Sequence, residues 1–428
     1  MIVGLTVSNF RSYRDKAEFS LLALEDDKGY NPGSVTTVEL EDGSCVRLLN
    51  SAVIFGANAS GKSNVLHAME ALSNTVSSSL RYTGKRKPHF IDPYAFSNSC
   101  LNRPTLIELE FILKGKRFVY RITGKMMSIQ TESLVEIRNG RKLKVFSVDS
   151  KRKISTGAGW PLDKELVDDS NLLPNQLFLS WLATKDYDGL QDIASYIADL
   201  TVCLNTEQYL ADFNRSFLME SVIGGTDSKV FKILNGLMHI VDLGVNEINA
   251  RRNEDKDFKI PDSVDKNLKE LFITQNRWDI KLVHDTDEVK GNKTLQFSDE
   301  SEGSKAIFSV GARLINALEN GDFIIYDEIS NAIHPDVLRL LLLLFHSKKT
   351  NPHGAQLVFS THDASVAADD LLRSDQVWFA EKHKSASELY SAQDFEDCDI
   401  RVPFESWYRL GRFGARPNLG DIEKLFEL

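Results

Sequence analysis

The chain has 428 residues, 42% hydrophobic and 26% charged, a balance that excludes disordered and fibrous classes and fits roughly two to three domains. Mean hydropathy is −0.24, and the greasiest run, Leu338–Phe345, contains Arg339 and falls well short of the ~20 apolar residues of a membrane span. A net charge of −10 argues against a surface coated for non-specific nucleic-acid binding and leaves two locally basic segments, Arg81–Lys87 and Arg138–Lys153.

The N-terminus alternates and meets Arg11 and Arg14 early, unlike a secretory signal, so a cytoplasmic chain with no membrane partner is expected. Cys45, Cys100, Cys203 and Cys398 contain no CxxC pair and suggest neither a zinc site nor a disulfide framework. Ile2–Val7 reads as a strand, with Ala17–Leu24 placed to pair with it. Val46–Phe55 is an apolar strand ending in Gly56, and Lys62–Leu80 has the helical spacing Val65, Leu66, Met69, Leu72. Alternation from Thr105 to Phe146 predicts an antiparallel lobe with a hairpin about Lys114-Gly115-Lys116. From Asp163 to Lys269 the pattern turns mostly helical, clearest at Leu190–Leu200 and Val230–Val241. Helices at Gly303–Leu318, Pro335–His346 and Ala364–Leu372 then alternate with strands at Phe323–Tyr326, Gln356–Phe359 and Gln376–Ala380, which predicts a parallel sheet.

Gly56-Ala57-Asn58-Ala59-Ser60-Gly61-Lys62-Ser63 matches GxxxxGK[ST] between a strand and a helix. Such a loop turns its amides toward phosphates at a helix N-terminus, with Lys62 on the β/γ-phosphates and Ser63 on Mg²⁺. Phe323–Tyr326 ends in Asp327 and Glu328. Asp327 fits the second Mg²⁺ partner, and Glu328 fits a base or water-positioning group. No Asn/Lys-x-Asp guanine reader is sensibly placed, so the expected nucleotide is ATP with Mg²⁺. His362 closes the next strand, where α/β folds bind ligands and where it could sense a γ-phosphate. Ser301-Glu302-Gly303 opens the helix before the acidic strand. Ser301 reads either as a plain N-cap or as a group pointing to a γ-phosphate held by a second subunit.

Together these motifs resemble the ABC-type ATPase heads of the SMC and RecF class. GANASGKSN (Gly56–Asn64) is similar to the class P-loop, with Ala59 where glycine is usual, and SNFRSY resembles the class N-terminal start. Ser301-Glu302-Gly303 looks like a degenerate Ser-Gly-Gly signature. Asp327–Pro335, FSTHD, DQVWFAEK and RLGRFGARP resemble one branch, the AAA-type ATPases of abortive-infection and anti-phage operons. The resemblance covers the first 80 and last 130 residues and hardly touches the middle.

It implies an α/β ABC-type head with an antiparallel β lobe, a parallel α/β lobe and a helical insertion. Expected domains are 1–160 (Walker A lobe), 161–275 (mainly helical insertion), 276–380 (signature, Walker B, His362) and 381–428 (an extension for a partner). It further implies a homodimer or higher homo-oligomer whose composite ATP sites take Ser301 and Gly303 of one chain to the Lys62 loop of another. Gln130 and Gln176 both fit the loop glutamine of such heads, and neither is assigned. Overcoming-lysogeny relatives carry a C-terminal TOPRIM nuclease, which Glu381 and Asp397-Cys398-Asp399 echo. The 48 residues after Ala380 are too few for its βα units, so an acidic surface loop is expected.

The role implied is an anti-phage ATPase that senses infection, through DNA or a phage protein, and controls a separate effector encoded nearby. The rivals are a RecF-like repair ATPase clamped on DNA, with the two basic segments as footprint, and a scaffold in which ATP only locks an assembly. Trp407 and Phe413 are expected to pack the last helix on the ATPase lobe, with the neighbouring arginines open to a partner.

Overall fold

The computed structural model describes residues 1–25, 32–160, 162, 167, 170–185, 187, 189–204, 215–241, 244–261, 263–285, 292–331, 333–367, 371–395 and 404–415. Asp397, Cys398, Asp399, Arg416 and Pro417 lie outside the described residues. The fold is mixed α/β and separates into two bodies: 1–204 with 323–327 and 356–428, and 205–322 with 328–355.

The first body holds a six-stranded sheet in the order Thr201–Cys203, Phe323–Tyr326, Gln356–Thr361, Ser51–Phe55, Val377–His383, Ala386–Ser391. Its first five strands run parallel, and the last turns back antiparallel on Val377–His383. The three central strands are buried throughout, as strands covered on both faces must be. A seven-stranded antiparallel sheet runs Ile154–Thr156, Arg141–Val148, Ser128–Arg138, Lys116–Lys125, Thr105–Leu113, Ile2–Ser8, Ala17–Ser20. The expected hairpin turns on Lys114 and Gly115, both at positive φ (49° and 71°), the two-residue loop whose twist matches its strands.

Side chains tie distant segments of this body together. The Gln356 amide accepts from Ile2 N at 2.6 Å and donates to the carbonyls of Ile2 and Leu49 at 3.0 and 3.1 Å, fixing the N-terminal strand to the parallel sheet. Glu132, fully buried, accepts from the Tyr120 hydroxyl at 2.9 Å and from Phe178 N and Leu179 N at 2.7 and 2.8 Å. Burial pushes its pKa up, while the two amides at the start of helix Phe178–Leu182 favour the ionised form.

One sequence expectation changes. The apolar run Val46–Phe55 is two strands, Cys45–Leu49 and Ser51–Phe55, which belong to different sheets. Asn50 marks the break, with its amide donating to Gly33 O at 2.8 Å. Beside its helices, segment 161–275 contains strands Thr201–Cys203 and Val245–Arg252. The reason is pairing at long range: Thr201–Cys203 lies parallel beside Phe323–Tyr326, while Val245–Arg252 forms a hairpin with Trp278–Asp285.

The second body sets that hairpin and Asn292–Gln296 in one antiparallel sheet, with helices Lys229–Val241, Glu302–Asn320 and Pro335–Phe345. The His-Pro pair opens the last of these: His334 Nδ1 accepts from Asp336 N at 3.2 Å, and Pro335 takes the first turn. His346 follows its last turn and is 1% exposed, and burial lowers its pKa to about 4. The folded chain thus refuses a proton that the unfolded chain takes up below its ordinary value near 6.5. The resulting stability is present above pH 6.5 and lost as pH falls through the folded value, by up to about 3 kcal/mol. Denaturant titrations from pH 7 to 4 should show this decline in the wild type and a shallower one in His346→Gln.

Candidate nucleotide site

The loop Gly56–Gly61 leaves the C-terminal end of strand Ser51–Phe55 and enters helix Lys62–Ser78, which buries Val65, Leu66, Met69, Leu72 and Val76. The helix N-cap is Gly61, with no side-chain cap and no acidic residue in the first turn. Its leading N–H groups and the positive end of its dipole therefore suit an anion. Ser60 Oγ is buried and has no hydrogen-bond partner, an orphan donor inside the loop. Lys62 is 4% exposed, with its ammonium on the loop's own carbonyls, Gly56 O at 2.8 Å and Ala57 O at 3.2 Å. These groups fit a polyphosphate.

Residues remote in sequence hold the loop. Ser12 and Tyr13 belong to a turn in which Asn9 and Arg11 take positive φ, and the buried Asn9 amide fixes it by donating to Cys100 O and Arg103 O at 2.8 and 2.9 Å. From that turn the Tyr13 hydroxyl donates to Gly61 O at 3.2 Å, and Ser12 Oγ accepts from the Asn64 amide at 2.7 Å. Ser387 Oγ donates to Ser60 O at 2.6 Å. On the far side Ala57 N donates to Ala415 O at 3.0 Å. No spacing rule marks Ser12, Tyr13, Ser387 or Ala415 as supports.

Asp327 ends strand Phe323–Tyr326 two strands from the loop, with Gln356–Thr361 between them. It is 7% exposed; its N–H donates to Cys203 O at 2.9 Å, and its Oδ1 accepts from Ser360 Oγ at 2.5 Å. Ser360, inside FSTHD, is thus a site residue that the sequence pattern did not single out. Thr361 pairs in register with Phe55, so His362 follows directly across from the loop's first glycine. It is exposed there, on a cavity of about 900 Å³ with residues 56–60 on one side and Glu381–His383, Tyr408 and Ala415 on another. That is space for a nucleotide.

The structure thus brings Gly56–Asn64, Asp327 and His362 into one body, while Glu328, Ser301 and Gly303 belong to the other. Glu328 stands at φ +51 and is half-buried. Ser301 is an exposed N-cap whose Oγ accepts from Ser304 N at 3.0 Å, and Gly303 is exposed beside it. Gln176 binds backbone, donating to Leu80 O and Tyr82 O at 3.1 and 3.3 Å. Glu381 accepts from the Tyr390 hydroxyl at 3.0 Å. In the basic segments, Arg138 pairs with Glu136 at 2.6 Å, Arg86 lies over the Tyr82 ring at 4.9 Å, and Arg152 donates to Gln176 O at 2.8 Å.

Gly61 is closely confined. At φ +113°, a Cβ there would come within 2.4 Å of Ser387 Oγ and 2.9 Å of Ser12 Oγ. Gly61→Ala should lower affinity for a fluorescent ATP analogue at least tenfold while the far-ultraviolet dichroism stays native.

A family profile described as "AAA domain, putative AbiEii toxin, Type IV TA system" matches residues 226–368, a stretch that includes Ser301, Asp327, Glu328 and His362 but not the P-loop. No curated protein matches. Solved structures with similarity include an SMC head bound to the C-winged helix domain of ScpA (13% identity, TM-score 0.42, covering 91% of this chain and 97% of that one). Others are the SMC head domain from Thermotoga maritima (12%, 0.40, 91% and 98%) and a Pyrococcus furiosus Smc head with an extended coiled coil (13%, 0.37, 96% and 98%). At these scores the SMC heads lend no weight to a reading of this chain's activity. Among the described residues no helix is long and apolar enough to cross a membrane.

Proposed function

We propose that this chain binds ATP with Mg²⁺ at residues 56–64 and hydrolyses it as the ATPase subunit of an anti-phage, abortive-infection system, controlling a separate effector. The observation that carries the ATPase reading is the pairing of a phosphate-shaped loop with Asp327, held by Ser360 on the intervening strand. The match of residues 226–368 to a profile whose description names a putative AbiEii toxin of a type IV TA system is what favours the defence role.

In this reading the loop amides and Lys62 orient and neutralise the β/γ-phosphates, and Lys62 leaves its carbonyl partners to do so. Ser63 and Asp327 would hold Mg²⁺, which would neutralise negative charge on the phosphates. Glu328 positions the attacking water and accepts its proton, and His362 senses the γ-phosphate from the strand end. Ser301 and Gly303 complete the site of a second copy. An infection signal, DNA or a phage protein, would act through this cycle on the effector.

Lys62→Ala should lose ATP binding, while Glu328→Gln should retain it with turnover reduced by about two orders of magnitude or more. Wild-type turnover in Glu328→Gln, measured by phosphate release, overturns the assignment of the base. Ser301→Arg should block hydrolysis and leave binding intact; loss of binding as well would reduce Ser301 to its capping role. Expression of Glu328→Gln with its genomic neighbours should recover a stoichiometric effector in a pull-down, and recovery of DNA alone would contradict the defence assignment.

A further inference from the structure

Segment 404–415 is seated on the P-loop strand by a closed set of contacts. Phe404 and Tyr408 pack on Phe55, the residue before Gly56, with ring centroids 5.3 and 5.9 Å away. Phe413 stacks on Phe379 of the neighbouring strand at 5.2 Å. Phe404, Tyr408, Phe413 and Ala415 are all buried, so this is packing of core quality. At its end Ala415 O accepts from the Tyr408 hydroxyl at 3.1 Å and from Ala57 N at 3.0 Å. Gly414 makes the approach possible: at φ +66°, a Cβ there would meet Glu381 Oε2 and the Tyr390 hydroxyl at 2.7 Å. The single proton of the Tyr390 hydroxyl is shared between Phe413 O at 2.7 Å and Glu381 Oε2 at 3.0 Å.

We propose that segment 404–415 is a positioning element for the nucleotide loop, with Tyr408 setting Ala415 so that its carbonyl holds the first turn of the loop. The inference rests on the nucleotide reading of residues 56–64. The segment also forms a wall of the same cavity, through Tyr408 and Ala415, so its seating and the occupancy of the loop are coupled. Coupling of this kind is reciprocal: if the seated segment raises nucleotide affinity, nucleotide must hold the segment down by the same factor. Its outer side is open, with Leu410 80% exposed and Arg409 and Arg412 exposed, so seating is readable from solvent.

The test uses the full chain, a fluorescent ADP analogue with Mg²⁺, and trypsin cleavage after Arg409 and Arg412. Tyr408→Phe keeps the ring and removes one hydrogen bond to Ala415 O. It should bind the analogue about threefold to tenfold more weakly, with a melting temperature in the absence of nucleotide lowered by no more than about 4 °C. Phe413→Ala should weaken binding further. Nucleotide should slow cleavage after Arg409 and Arg412 in the wild type, less so in Tyr408→Phe, and not at all in Lys62→Ala. If the wild type binds the analogue yet Tyr408→Phe and Phe413→Ala bind it equally well, or cleavage ignores nucleotide, the segment is packing only and the proposal is overturned. Equal binding by wild type and Lys62→Ala would instead overturn the nucleotide reading beneath it.

Discussion

A loop that turns its N–H groups inward to receive an anion must turn carbonyls outward, and every buried carbonyl needs a donor. That requirement organises much of the larger body. Gly56 O and Ala57 O accept from Lys62, Ser60 O from Ser387, and Gly61 O from Tyr13. The donors come from the loop's own helix, from the last strand of the sheet and from the turn after the first strand. One outward N–H, that of Ala57, runs the other way and needs an acceptor, which Ala415 provides. The loop's shape is thus fixed by residues spread from position 12 to position 415.

Bringing those positions together is the work of the parallel sheet. Its five parallel strands come from residues 51–55, 201–203, 323–326, 356–361 and 377–383, so the chain leaves for a second body and returns before the sheet is complete. Few local contacts hold such an arrangement, and side-chain amides supply part of the register. Gln356 binds the backbone of Ile2 and Leu49, and Gln376 donates to Ser51 O and Ser51 Oγ at 3.0 and 2.8 Å. Both glutamines flank strands whose far ends reach the site, so an error in strand register at one end would displace Thr361 or the P-loop at the other.

Much of this was legible in the sequence where the signal is local. The P-loop, its amphipathic helix, the Lys114-Gly115 turn and the acidic end of Phe323–Tyr326 each announce themselves within about twenty residues. What stayed hidden depends on partners far along the chain. The run Val46–Phe55 reads as one strand because Asn50-Ser51 is a brief polar interruption between apolar stretches, and the division there shows only in the pairing of its two halves with different sheets. Thr201–Cys203 is a three-residue edge strand, too short for periodicity to show. Ser360 is one of many serines until its hydroxyl is seen on Asp327. Segment 404–415 showed its aromatics, but nothing in their spacing says that its last carbonyl meets Ala57. His334 is the opposite case, since its place before Pro335 is explained by capping a helix.

Local rules are broken most densely inside the loop itself, and they are broken together. Ala59 sits at φ +63°, a left-handed conformation that costs a β-carbon-bearing residue about 1–2 kcal/mol, at the position where glycine is usual in such loops. Ser60 Oγ is buried and unpaired, and the Lys62 ammonium is buried against the loop carbonyls of Gly56 and Ala57. A sequence selected for stability alone would remove each of these costs with a single substitution. All three concern groups that favour negative charge or present backbone toward it, and a polyphosphate in the loop would meet the serine hydroxyl and the lysine at once. Coincidence of independent costs at one turn is what separates a binding loop from a strand–helix connection that only resembles one.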